Sequence, residues 1–196
     1  SHEENFELQV VGYRHDFTRN WRKLRSFRGG PSVKEILSNP NSGQSAVYYA
    51  ILSGQEDSVS DDQTLLIGSN DRTYISQGIA LTGSWSPDGP NWLQQHLSFG
   101  VRMHYDQINR NHTDEGYLMQ AGTLIRDNTE RSTVTKNKGA AQSWALHLYD
   151  EIRIDELTLS PGFRAEFIRT NFENFLSDTS QSNADTVLIP GIGGHY

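Results

Sequence analysis

Among seven histidines, His96 and His104 are the pair to weigh first as metal ligands. They share one face of an alternating stretch but stand roughly 26 Å apart at the rise of an extended strand. One ion cannot take both, so no metal site is expected. The carboxylates Glu56, Asp57, Asp61 and Asp62 crowd one segment without the spacing of a calcium-binding loop and read as a solvated acidic loop. Serine, histidine and aspartate all occur, but no G-x-S-x-G turn frames a nucleophile. The chain has no cysteine, which removes thiolate ligands, thiolate nucleophiles and disulfides and is neutral on compartment. Arg164 and Glu166 sit two apart on one face, where a charge ladder with neighbouring strands would stiffen a wall. Catalysis has no positive support, and no cofactor is expected.

The elements that carry these residues are strands. From Trp92 to Asp106 one face presents Leu93, Gln95, Leu97, Phe99, Val101, Met103 and Tyr105. The other presents Trp92, Gln94, His96, Ser98, Gly100, Arg102 and His104. Successive side chains of a strand point to opposite faces, so this segment divides an oily environment from a wet one. Phe6 to Arg14, Thr73 to Trp85, Ala141 to Arg153 and Leu157 to Arg169 alternate in the same way. A sixth strand begins near Thr186. The polar faces are rich in Ser, Gly, Ala and Thr and poor in Lys, which suits the lining of a wet or plugged lumen better than a surface in bulk solvent.

Composition narrows the classes. The chain has 196 residues, 17 Lys+Arg against 24 Asp+Glu, a formal charge of −7 and 35% hydrophobic residues. That acidic balance leaves no basic field to attract nucleic acid. The longest wholly apolar run, Ala46 to Leu52, is far below the ~20 residues a membrane helix needs. Helical membrane proteins are excluded. A mean hydropathy of −0.64 does not exclude a membrane barrel, whose strands are apolar on one face only. No charged segment followed by an apolar one opens the chain, and Ser1-His2-Glu3-Glu4 reads as a cut end leading straight into a strand.

The connections alternate in length. Arg14 to Arg72, Gln107 to Ala140 and Thr170 to Asp185 are long; Ser86-Pro-Asp-Gly-Pro-Asn91 and Asp155-Glu156 are short and have turn chemistry. In an up-and-down sheet alternate connections fall at opposite ends, so all the long ones share one end, as in outer-membrane barrels. Trp85 and Trp92 flank a short turn and Tyr105 lies at the far end of its strand, where interfacial aromatics would sit. Inside the first long connection, Pro31 to Leu37 predicts a short helix with Pro31 in its first turn and Val33, Ile36 and Leu37 on one side. Ala46 to Leu52 predicts a short hairpin strand.

These residues resemble a known family. Tyr13-Arg-His-Asp-Phe-Thr-Arg-Asn-Trp21 with Lys23, Leu24 and Phe27 is similar to a strand-to-loop passage of TonB-dependent outer-membrane receptors. Leu65-Leu-Ile-Gly-Ser-Asn-Asp-Arg72 with Tyr74 and Ser76-Gln-Gly78 resembles the following strand, especially of ferric-dicitrate-type members. Leu148-Tyr-Asp-Glu-Ile-Arg153, then Leu157-Thr-Leu-Ser-Pro-Gly-Phe-Arg164 with Glu166, resembles a recurring hairpin of the class. Leu188-Ile-Pro-Gly-Ile-Gly193 looks like the start of the next strand.

The resemblance implies an all-β fold. It would be an antiparallel, up-and-down segment of about six strands from a transmembrane barrel of about 22, with long external loops and short periplasmic turns over residues 1–196. It implies a place in the bacterial outer membrane and transport without covalent catalysis. The implied partners are a ferric chelate (siderophore or citrate), outer-membrane lipid, the remaining barrel and plug, and the TonB complex through a region outside this chain. An anionic chelate needs guanidinium, ammonium or amide donors. The resemblance offers Arg102 and Arg164 on the polar faces, with Gln94 and His104 beside them, and Arg14, Arg19 and Trp21 at the external mouth. Two other readings compete: a soluble secreted β-sandwich or jelly-roll that binds glycans, and a passive porin segment. The first predicts Leu97, Phe99, Val101 and Met103 buried between two sheets.

Overall fold

The computed structural model describes residues 5–196, so the expected cut end at Ser1 to Glu4 lies outside the described residues. Seven strands form one antiparallel sheet. They are β1 (Phe6–Phe27), β2 (Leu65–Trp85), β3 (Leu93–Gln120), β4 (Thr123–Arg126), β5 (Ser132–Ile154), β6 (Leu157–Asn174) and β7 (Thr179–His195). Six of them follow chain order across the sheet, β1-β2-β3-β5-β6-β7, while the short β4 folds back on β3 from Tyr117↔Arg126 to Gln120↔Thr123. The expected up-and-down order of about six strands is present, with β4 as an extra hairpin arm.

The strands overrun their alternating segments. β3 continues to Gln120 and β5 begins at Ser132, so most of the expected loop from Gln107 to Ala140 is strand. β6 and β7 likewise pair from Thr158↔His195 to Asn174↔Thr179, which leaves only a tight turn around Asp178, whose φ is 49°. The physical reason is that backbone pairing does not need an oily face. Strict alternation marks only the part of a strand that separates two solvents, and beyond it the ladder continues with polar residues on both sides.

Two compact units divide the chain: Ser1–Phe17, Tyr74–Ile108 and Lys138–Tyr196 form one, and Thr18–Thr73 with Asn109–Asn137 the other. The first unit is a two-faced wall. Phe6 and Phe99 stack with ring centroids 6.4 Å apart, and a Cβ on Gly83 would meet the Phe99 ring at 2.5 Å. These three residues therefore share the apolar face. That face is open: Leu8, Val10, Ile79, Val101, Trp144, Leu148, Phe163 and Phe167 are all exposed. No second sheet covers it among the described residues, which removes the sandwich reading. On the opposite face Gly100 lies against His147 and Thr82, and Ser160 faces Gly193.

The second unit holds the apolar core: Phe27, Ile36, Tyr48, Ile51, Leu65 and Met119. Two helices supply half of it, α1 (Val33–Ser38) and α2 (Gly43–Leu52). Ala46 to Leu52 is thus helix, not the expected hairpin strand. Ser45, Tyr48 and Ile51 recur at near-helical spacing and are the buried residues of α2, so one face of a helix satisfies the core where a strand would not. At α1 the Ser32 hydroxyl accepts from the Glu35 N–H at 3.2 Å, an N-cap. Pro31 therefore precedes the cap instead of entering the first turn. Ile36 alone of the expected apolar side is buried, while Leu37 is 56% exposed.

Candidate ligand-binding surface

On the polar face of the wall unit, strand alternation aims Tyr13 from β1 and Arg102, His104 and Asp106 from β3 to the same side. Between them runs β2, where position 78 is glycine. A Cβ there would lie 2.5 Å from both the Tyr13 hydroxyl and the Met103 carbonyl, so the missing side chain is what lets Tyr13 reach over β2. Its hydroxyl lies 2.5 Å from Nδ1 of His104 and accepts from Arg102 through Nη2 at 2.8 Å and Nε at 3.2 Å. His104 Nε2 is 2.7 Å from Asp106 Oδ2. The four side chains form one chain of hydrogen bonds, with a guanidinium at one end and a carboxylate at the other. The Arg102 guanidinium carbon lies 5.7 Å from the Tyr13 ring centroid.

This arrangement can hold an anion. Arg102 spends two N–H groups on Tyr13, which fix its plane, and a guanidinium carries five donors. The remaining edge can serve a carboxylate or similar oxyanion bidentately. Two of the sequence-derived residues, Arg102 and His104, thus converge on one network. Tyr13 and Asp106 complete it and were not singled out. The glycine at 78 leaves room for the Tyr13 hydroxyl and the Met103 carbonyl alike, so in the sequence it does not point to Tyr13.

The other candidates lie elsewhere. Arg164 binds Glu166 on its own strand through Nε at 2.7 Å and Nη2 at 2.5 Å, and faces Ile189 of β7. The ion pair lies within one strand, and the position opposite Arg164 on β7 is the uncharged Ile189, not a charge of a ladder between strands. Gln94 lines a hollow of about 480 Å³ beside the Ser86–Asn91 turn, with Asn5, Asp88, His96, Glu151 and Arg153. Arg14 is held bidentately by Asp16 at 2.8 and 3.0 Å and donates to Gln77 at 3.0 Å. Its even position puts it on the side of Phe6, Leu8 and Val10, away from Tyr13.

In the second unit, Arg19 lies over the Trp21 ring at 4.2 Å. The dominant charges of this unit are buried carboxylates held by arginines. Glu115 binds Arg131, and receives Arg22 at 3.5 Å, Arg126 at 3.6 Å and the Tyr117 hydroxyl at 3.1 Å. The Arg131 hydrogen bond, helped by Tyr117, holds the Glu115 carboxyl below its ordinary range against the opposing effect of burial. At Asp127 burial opposes ionisation, but Thr129 and Arg28 outweigh it and also lower the carboxyl. Burial, with the cations of Arg72 and Arg110, pushes His112 down. These groups brace the unit.

The profile of the family described as "TonB dependent receptor-like, beta-barrel" matches residues 1–196. No curated protein matches. Among solved structures, the unliganded ferric citrate transporter FecA is similar at 18% identity with a TM-score of 0.55. The match covers 67% of this chain and 20% of that one. The chain therefore spans about a fifth of the length of that structure, and at this identity the likeness speaks to the fold alone. The shared fold is an antiparallel sheet in up-and-down order. The chain belongs to the TonB-dependent receptor-like β-barrel family.

Proposed function

We propose that this chain is part of the wall of a TonB-dependent receptor of the bacterial outer membrane that takes up an anionic ferric chelate. In this reading the apolar faces of the wall unit meet lipid, the polar faces line the lumen, and the chain acts by binding and transport. The family match and the exposed apolar face support the membrane assignment. The open sheet edges at β1 and β7 suit continuation into further strands, because lipid cannot satisfy unpaired backbone groups.

The observation that carries the ligand reading is the network from Arg102 through Tyr13 and His104 to Asp106. In this reading the guanidinium that the network orients faces the lumen, where an oxyanion-rich chelate would pass. TonB complex, plug and remaining barrel would be supplied by the rest of the receptor. The test is calorimetric titration of full-length receptor with ferric dicitrate and with a catecholate ferric chelate. Arg102→Ala should weaken binding about 10- to 100-fold, the worth of a charged hydrogen bond. Unchanged affinity for both would remove Arg102 from the site.

A further inference from the structure

The apolar face of the wall unit is not smooth. Across β5, β6 and β7 it carries a groove of about 390 Å³, with Trp144 and Phe167 as its aromatic sides and Gln142 and Arg169 at one end. Thr186 and Ala184 of β7 also border it. They pair directly with Phe167 and Arg169, so these four side chains share one face. The small residues opposite Phe167 and Arg169 leave the groove open.

The groove lies where that face changes character. Along β6 it presents Leu157, Leu159, Phe163 and Phe167, and then Arg169, Asn171 and Glu173. Along β5, Leu148, Leu146 and Trp144 give way to Gln142. Along β7, Pro190 and Leu188 give way to Thr186, Ala184 and Ser182. In a barrel wall such a change marks the boundary between hydrocarbon and headgroups, the level of the aromatic girdle.

Arg169 is exposed, and among the described residues its side chain forms no ion pair and no hydrogen bond. Asp185 borders the groove but pairs with Ile168, so its carboxylate belongs to the other face, where Asn183 donates to it at 2.7 Å. Four residues further out, roughly 13 Å, Lys138 on β5 and Glu173 on β6 offset one another. The end of the groove is therefore cationic. We propose that it seats one phosphate-bearing lipid. An acyl chain lies between Trp144 and Phe167, and the headgroup phosphate meets the guanidinium of Arg169, whose fork of donors matches phosphate oxygens. Arg169 is at the end of β6 away from the Asp155–Glu156 turn, so in the proposed orientation the lipid belongs to the external leaflet. This rests on the reading of the wall as membrane-spanning.

The test is native mass spectrometry of delipidated full-length receptor in detergent, titrated with dioleoyl phosphatidic acid or with dioleoylglycerol. The two share acyl chains and differ in the phosphate. Heat-modifiable migration on gels confirms that each variant has a folded barrel. Wild type should bind one phosphatidic acid about tenfold more tightly than the diacylglycerol, the effect of a charged hydrogen bond. Millimolar inorganic phosphate should not displace it. Arg169→Gln should erase the preference while diacylglycerol binding stays as in wild type. Ala184→Trp fills the groove and should weaken both lipids severalfold. Equal binding of the two lipids by wild type overturns the inference, as does phosphatidic acid binding that neither variant changes. Displacement by inorganic phosphate would assign Arg169 to a free anion and overturns it too. All three outcomes leave the membrane reading standing, whereas a receptor that does not insert into lipid vesicles overturns both.

Discussion

Tyr13 and His104 meet across a strand that belongs to neither: hydroxyl and Nδ1 are 2.5 Å apart, with Gly78 of β2 beneath them. Neighbouring strands are about 4.8 Å apart, so a contact between first and third strands needs a long side chain and nothing in its path. Tyr13 supplies the length and Gly78 the clearance. A methyl at 78 would strike both the hydroxyl and the Met103 carbonyl, and a backbone oxygen within a ladder cannot swing aside.

Gly78→Ala should therefore cost about 1–3 kcal/mol, as overpacking does, and weaken the anionic chelate along with stability. The measurements are the urea midpoint of the full-length receptor and its calorimetric affinity. An unaltered midpoint would mean that Tyr13 moves freely and that the crossing is not a fixed feature.

Tyr13→Phe isolates the hydroxyl. The ring still fills its place, but Arg102 loses the acceptor that orients it. Both guanidinium N–H groups lose their acceptor; if the loss of that orienting contact costs the ligand ~1 kcal/mol, chelate affinity should fall about fivefold, less than for Arg102→Ala. A double mutant no weaker than Arg102→Ala alone would show that Tyr13 acts through Arg102. Strictly additive losses would show that it contacts the ligand itself.

The second unit should be the acid-sensitive part. Each group with a lowered folded pKa contributes stability that is full above its unfolded pKa and lost as pH falls through the folded one. For His112 that loss begins below 6.5, and for Glu115 and Asp127 below about 4, given their lowered folded values. Protection factors of the amides in α1 and α2, taken relative to intrinsic exchange at each pH, should fall between pH 6.5 and 3. Arg131→Gln removes the leading cause of the Glu115 shift and should flatten the acid limb. The same limb in both proteins would assign the sensitivity to other carboxylates.

What could be read from the sequence followed the physics of each solvent boundary. Alternation located the strands where they divide oil from water, as at Leu93 to Tyr105. It fell silent at 107–120 and 132–140, where both faces are polar and only backbone pairing persists. The helix at Gly43–Leu52 was hidden because Ala46 to Leu52 is apolar throughout, and a short apolar run has no period to read. Arg102 and His104 were visible as polar side chains on a small-residue face. Their partner Tyr13 was not, because a contact across two strands leaves no spacing in the sequence.

The two faces of β3 give the most direct check on the membrane assignment. Val101 is 41% exposed on the side of Phe99; Ser98 faces the other way and borders a hollow with Glu7 and His147. If the first side meets lipid, Val101→Arg puts a charge into hydrocarbon and should destabilise the barrel by about 2–4 kcal/mol near the bilayer midplane. Ser98→Lys, three positions away on the wet side and beside a carboxylate, should change stability by less than ~0.5 kcal/mol, as surface substitutions usually do. Reversible folding of the full-length receptor into lipid vesicles, followed by the gel shift of the folded barrel across a urea series, reads both values. A large cost at Ser98 with none at Val101 would reverse the faces and move Arg102 to the lipid side. Equal small costs at both would mean that neither side meets hydrocarbon, and the membrane reading of the wall would fall.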